Sequence, residues 1–240
     1  MNTIVLDDVT KLFDTDLGDN AIGAVFDYIM HHFCQMGIRS IDFTGGLKSK
    51  DYLQNYVGLR DWDRYFQAGV ILFNLEKMRK MDLSDVMIKA LLDKRYWFLD
   101  QDILNKYFLG KVTYLDPSWN VVNCGHEIYD GLSQKQIQEL QQAEKHPKLI
   151  HYAGFETKPW NNRSAKFGEY YFYYLRKTFW YENVMFSFQS NANNNQQAII
   201  LNIPERRGLA WRIARKCWLK LPFFIKRRLG KLKEYLKAKL

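Results

Sequence analysis

The sequence predicts an α/β domain in which short strands alternate with helices. Three observations carry that reading: apolar runs of strand length recur between residues 3 and 152, helical patterns lie between them, and no internal repeat interrupts the alternation. The chain has 240 residues, 47% hydrophobic and 16% aromatic, which is enough to bury a substantial core. The predicted strands are Thr3–Leu6, Ile22–Phe26, Phe66–Phe73, Val112–Leu115 and Lys148–Tyr152. Ser133-Gln134-Lys135-Gln136 reads as a capping box, and the helix it opens places Ile137, Leu140 and Ala143 or Glu144 on one side. Pro147 prevents its continuation, and the strand leading to His151 follows at once.

Composition divides the chain into three parts: a globular body over 1–187, a polar linker over 188–204 and a basic tail over 205–240. The linker contains the Asn- and Gln-rich run 189–197, too polar to bury. The tail repeats Trp211, Ala214, Trp218, Leu221, Ile225, Leu229, Leu232, Leu236 and Leu240 at steps of three or four, with Lys and Arg on the other face and Pro222 predicted to kink it. The formal charge is +9, but the tail holds thirteen Lys or Arg against two acids, leaving the rest with 22 basic and 24 acidic residues. A slightly acidic body argues against nucleic-acid binding, and the tail suits an anionic membrane surface.

Cys34, Cys124 and Cys217 are an odd number in no metal-like spacing, so neither a disulfide framework nor a zinc site is suggested and a reducing compartment fits. Asp7 and Asp8 fall where a signal peptide would carry its apolar stretch, and no run of about 18 apolar residues occurs. The expected location is cytoplasmic, peripheral on the inner face of the cell membrane.

Three clusters carry candidate chemistry, and each has a plainer reading. Tyr65 to Leu75 is a strand whose small Ala68-Gly69 step admits a ligand or merely another backbone. Asp100-Gln101-Asp102-Ile103-Leu104-Asn105 opens a short helix ended near Gly110, where acids serve either as reactive groups or as caps and dipole partners. His151 ends a strand, followed by Gly154 and Lys158, an arrangement that serves a metal and phosphates or, more plainly, packing.

In this order, together with Leu12-Phe13-Asp14-Thr15-Asp16-Leu17-Gly18-Asp19-Asn20, Leu115-Asp116-Pro117-Ser118-Trp119-Asn120 and Arg176-Lys177-Thr178-Phe179-Trp180-Tyr181-Glu182, the clusters resemble glycosyltransferase family 8 over residues 2–185. The resemblance implies a GT-A fold and transfer of a hexose, with retention of configuration, from a UDP-sugar to a glycan or lipid-linked acceptor, in cell-envelope polysaccharide synthesis. It implies Mn²⁺ or Mg²⁺, held by an Asp-x-Asp motif and a later histidine that His151 matches. The second Asp of that motif falls on Asn2, whose neutral oxygen is a weak ligand for a hard cation.

Gly154 and Lys158 match the diphosphate-binding positions, and Gln67 and Ala68 the donor-binding strand, with Gln67 where the family usually has Asn. Asp100 matches a carboxylate that positions sugar hydroxyls, Gln101 the residue facing the anomeric carbon, and Asp27 a sugar or acceptor contact. The uridine-binding half would ordinarily precede Asn2, so the GT-A domain is expected to be incomplete, with an upstream segment or protein partner supplying the rest. The alternative expectation is a catalytically inactive remnant or membrane-attached interaction module.

Overall fold

The computed structural model describes residues 2–40, 45–154 and 158–193. The tail, its kink at Pro222, Cys217 and the linker beyond Asn193 lie outside the described residues. The chain divides into two compact units, Met1–Phe186 and Ser187–Leu240.

Within the first unit the strands are β1 (Thr3–Val5), β2 (Ile22–Phe26), β3 (Phe66–Phe73), β4 (Val112–Tyr114), β5 (Val121–Val122) and β6 (Leu149–His151). The helices in chain order are α1 (Thr10–Phe13), α2 (Tyr28–Met36), α3 (Ser49–Asp51), α4 (Leu75–Met81), α5 (Ser84–Asp93), α6 (Asp100–Phe108), α7 (Gln134–Lys145), α8 (Gly168–Leu175) and α9 (Tyr181–Asn193). All five predicted strands form. Among the described residues only β5 is new, and two residues are too few to register as a periodic run. Helix α9 continues through Asn193, so the first part of the run read as linker has a helical backbone.

The strands make two three-stranded mixed sheets. One has the order β1-β6-β5, with β1 antiparallel and β5 parallel to β6; the other has β3-β2-β4, with β3 antiparallel and β4 parallel to β2. Val25 on β2, Leu115, Trp119 and Leu149 on β6 form a buried cluster that joins the two sheets. That cluster brings the end of β6 toward the middle of β3. A second cluster of Ile22, Ala24, Phe66, Phe108 and Val112 packs α6 beneath the β3-β2-β4 sheet. Helix α7 starts with the capping box as predicted, since Ser133 accepts from the Gln136 backbone N–H and Gln136 reaches back to Ser133, and it buries Leu140 and Ala143.

Helix α6 is held to β3 by polar as well as apolar contacts. Asn105, fully buried, accepts from the Phe66 N–H at 2.9 Å and donates to the Phe66 carbonyl at 2.8 Å, so its amide satisfies both backbone groups of one strand residue. Asp102, also fully buried, accepts from the Tyr52 and Tyr65 hydroxyls at 2.6 Å each and from the Phe98 N–H at 2.9 Å. Burial raises the Asp102 carboxyl above its usual range despite these donors. The structure therefore makes the second acid of the Asp-Gln-Asp run a packing element.

Removing the Asn105 amide leaves two buried Phe66 backbone groups without their partner. Asn105→Ala is expected to lower the unfolding free energy by about 2–4 kcal/mol in urea titrations. A loss below about 0.5 kcal/mol, the range of an indifferent surface change, would show that α6 is not anchored this way.

Candidate active site

The site is built where α6, β3 and β6 converge. Antiparallel pairing of β2 with β3 matches Ala24 with Ile71 and Val25 with Gln67, so the ladder skips Ala68, Gly69 and Val70. This bulge turns the Ala68-Gly69 backbone away from regular pairing. The Ala68 N–H then donates to Gln101 Oε1 at 2.8 Å. From the other end of the same side chain, Gln101 Nε2 donates to Asp27 Oδ2 at 2.8 Å. Gln101 is 7% exposed and Asp27 5%, so both ends of the amide are fixed in a nearly dry setting.

Asp27 follows β2 directly and caps α2, accepting from the Met30 N–H at 2.8 Å. Burial raises its carboxyl to about 6, against the lowering effects of the Met30 and Gln101 donors, and Asp102 adds repulsion. Gln101 itself is launched by a turn in which its N–H returns to the Phe98 carbonyl at 2.9 Å. Leu99 in that turn has φ +48° and ψ −112°, a backbone geometry that costs a β-carbon-bearing residue of order 1–3 kcal/mol. Asp100, the first residue of α6, is exposed, so its side chain stands outside the buried network that holds Gln101.

His151 closes the opposite side of the Ala68-Gly69 step. A β-carbon added at Gly69 would lie 2.3 Å from His151 Cε1 and 2.4 Å from Nδ1, so only glycine lets the strand run this close to the imidazole. Gln67 curls back to accept from the Gly69 N–H, and also accepts from Asn120 Nδ2 at 2.7 Å. Asn120 Oδ1 meets His151 Nδ1 at 3.1 Å. Burial, with a smaller contribution from the Lys158 charge, depresses the His151 imidazole to about 4, so it is neutral near pH 7. Lys158 is half-buried with its ammonium 5.2 Å from the Trp160 ring centroid, and Gly154 is exposed in the bend after β6.

Five of the predicted residues are thus brought together: Asp27, Gln67, Ala68, Gln101 and His151, with the Lys158 charge felt at the imidazole. Asn2 lies beside them through β1, its carbonyl accepting from the Tyr152 N–H at 2.7 Å, but it is exposed. Among the described residues, no group of three or more His, Cys, Asp or Glu side chains is arranged to hold a metal ion. The described residues offer a divalent cation the neutral His151 imidazole and not a complete ligand set. Asn120 and Asn105 were not predicted. Both were readable only in part: Asn120 ends the Asp-Pro-Ser-Trp-Asn block, and Asn105 lies one helical turn after Gln101 on the same face.

A mixed α/β architecture with a glycine-bearing strand facing a buried glutamine and a strand-end histidine is that of a GT-A-type sugar transferase. Residues 2–164 match the model of glycosyl transferase family 8, and the chain belongs to that family. The solved apo structure of the bifunctional glycosyltransferase WbbM superposes with a TM-score of 0.71 at 35% identity, covering 76% of this chain and 32% of that one. General stress protein A of Bacillus subtilis is 26% identical over 190 residues, which is 75% of this chain and 57% of the relative. The lipopolysaccharide 1,3-galactosyltransferase of Salmonella typhimurium is 29% identical over 106 residues, 42% of this chain and 29% of the relative. The chain spans about half or less of the length of these curated relatives.

The raised Asp27 carboxyl sets a pH dependence with a definite sign. Between its unfolded value of about 3.9 and its folded value of about 6, the folded state holds more protons, so this group's contribution to stability falls as pH rises through that window. Asp27→Asn removes the ionisation and keeps an oxygen for one of the two donors, which meet different oxygens of the native carboxylate. Urea unfolding from pH 4 to pH 7 is expected to fall less steeply in the variant than in the native chain. Parallel profiles would show that Asp27 does not titrate high.

Proposed function

We propose that this chain supplies the reactive-sugar side of a hexosyltransferase that uses a UDP-sugar donor and retains anomeric configuration. The observation that carries the reading is the fixed Gln101 amide, bound by Asp27 at one end and Ala68 at the other, next to a strand that glycine opens toward His151. A polar group held rigidly in a dry cleft stabilises developing charge without reorganising during the reaction. In this reading Gln101 faces the anomeric carbon, where cationic character develops as the diphosphate departs. Gln67 and the Ala68 backbone line the donor, Asp100 and Asp27 meet sugar hydroxyls of donor or acceptor, and Gly154 with Lys158 receives the leaving diphosphate by close backbone approach and a mobile cation. A divalent cation, manganese or magnesium, would find His151 already neutral and would neutralise diphosphate charge; Asn2 would be a weak additional ligand.

The acceptor class proposed is a glycan or lipid-linked glycan of the cell envelope. The likeness to the lipopolysaccharide 1,3-galactosyltransferase of Salmonella typhimurium supports it. The test is a donor panel of UDP-hexoses with the native chain, following sugar transfer and donor hydrolysis. Gln101→Ala, His151→Ala and Lys158→Ala are each expected to lower turnover by about 10²-fold or more. Unchanged rates in all three would remove the site, and a chain that stays inert toward every donor when a uridine-binding half of the family is supplied with it would leave the non-catalytic module as the better reading.

Peripheral attachment to an anionic membrane at the cytoplasmic face is also proposed, carried by the composition of 205–240. Within the described residues, Phe179 is 83% exposed beside exposed Trp180, and Tyr173 carries Lys177 at 4.0 Å from its ring centroid, a mixture of rings and cations suited to an interface. Among the described residues, no helix is long and apolar enough to cross a membrane. Each tail cation near an anionic leaflet contributes on the order of 1 kcal/mol. Co-sedimentation with anionic liposomes is therefore expected at low salt, to weaken at high salt, and to be lost on deletion of 205–240. Equal binding with and without the tail would overturn the assignment.

A further inference from the structure

We infer that Asn120 is a positioning residue that holds the His151 imidazole in the tautomer protonated on Nδ1 and keeps the lone pair on Nε2. The functional meaning rests on His151 belonging to the donor site, whereas the tautomer itself follows from a chain of hydrogen bonds with one consistent direction. The Gly69 N–H is only a donor, so the Gln67 atom it meets is the carbonyl oxygen Oε1. That oxygen is only an acceptor. The Asn120 atom 2.7 Å from it must therefore be the amide nitrogen Nδ2.

With Nδ2 committed to Gln67, the Asn120 atom against His151 Nδ1 at 3.1 Å is the carbonyl oxygen. A carbonyl oxygen accepts, so Nδ1 must donate, and in a neutral imidazole the remaining lone pair is then on Nε2. Assignments of amide orientation and tautomer of this kind follow from the network. A flipped Asn120 would set oxygen against oxygen at Gln67.

The backbone keeps this relay in place. Asn120 is 4% exposed and closes the 3-10 turn Pro117–Asn120, which runs straight into β5. In the parallel pairing of β5 with β6, Val122 lies opposite His151, so the turn and the histidine are tied by sheet register. Gly69 completes the arrangement, because any side chain there would occupy the space of the imidazole. A neutral imidazole carries its proton on one ring nitrogen only, and the Asn120 carbonyl oxygen selects Nδ1. A second-layer partner that orients a histidine in this way decides which nitrogen meets a proton or a cation in the cleft.

The test reads the imidazole directly. The full chain with ¹⁵N-labelled histidine is examined by long-range ¹H–¹⁵N correlation at pH 7, and the His151 signals are identified as those lost in His151→Gln. The expected pattern is a pyrrole-type Nδ1 and a pyridine-type Nε2. Asn120→Ala, which removes the acceptor for Nδ1–H, is expected to lose that preference. A pyridine-type Nδ1 in the native chain overturns the inference, as does an unchanged pattern in Asn120→Ala with native circular dichroism. If the alanine variant fails to fold, the native spectrum still decides, because a pyridine-type Nδ1 there overturns the inference. Absence of transferase activity in the native protein, with the tautomer as expected, would count against the catalytic reading and leave the role of Asn120 standing.

Discussion

The attachment of α6 to β3 through Asn105 is the constraint on which the site depends. Strand β3 is the edge of its sheet, so its outer backbone groups have no neighbouring strand, and a helix packed there ordinarily has no group to pair with them. The Asn105 amide satisfies both the N–H and the carbonyl of Phe66, acting as one residue of an adjacent strand. This fixes the position of α6 along β3. Gln101, one turn earlier on the same face, is then delivered to the Ala68 N–H. Without that registration Gln101 would have the rotamer freedom of a long side chain, and the amide would lose the rigidity that electrostatic stabilisation requires.

The buried carboxylates have separate tasks. Asp102 receives two tyrosine hydroxyls and a backbone N–H, and it ties Tyr52, Tyr65 and the turn before α6 into the core. Asp27 joins the helix cap to the Gln101 amide, and burial keeps its carboxyl high because its donors only partly replace water. An apolar replacement would save desolvation in both places. What the carboxylates add is direction: each accepts from donors on different elements and so fixes their relative placement.

The imidazole side of the site is governed by space. Two sheets joined by Val25, Leu115, Trp119 and Leu149 bring β6 against β3, and the approach is close enough that a methyl group at Gly69 would collide with the ring. The bulge and the glycine thus serve one purpose. They let a backbone donor turn toward Gln67 while the imidazole remains beside Asn120, so that groups far apart in the chain form a single directional network.

The sequence by itself determined the α/β class, the five strands, the capped α7 and the family, because alternating apolar runs, a capping box and ordered motif blocks are local signals. Through the resemblance it also named Gln67, Ala68, Gln101, Asp27 and His151 as candidates, which the fold brings together. Tertiary structure alone decided that Asp102 is a packing acid while its neighbour Gln101 faces the site, since both lie in one polar run and only the direction in which α6 packs separates them. It alone decided that Asn105 and Asn120 organise the site, because an asparagine's role is set by which donor and acceptor it meets across the fold. That pairing is fixed by sheet register and helix packing, and no spacing along the chain encodes it.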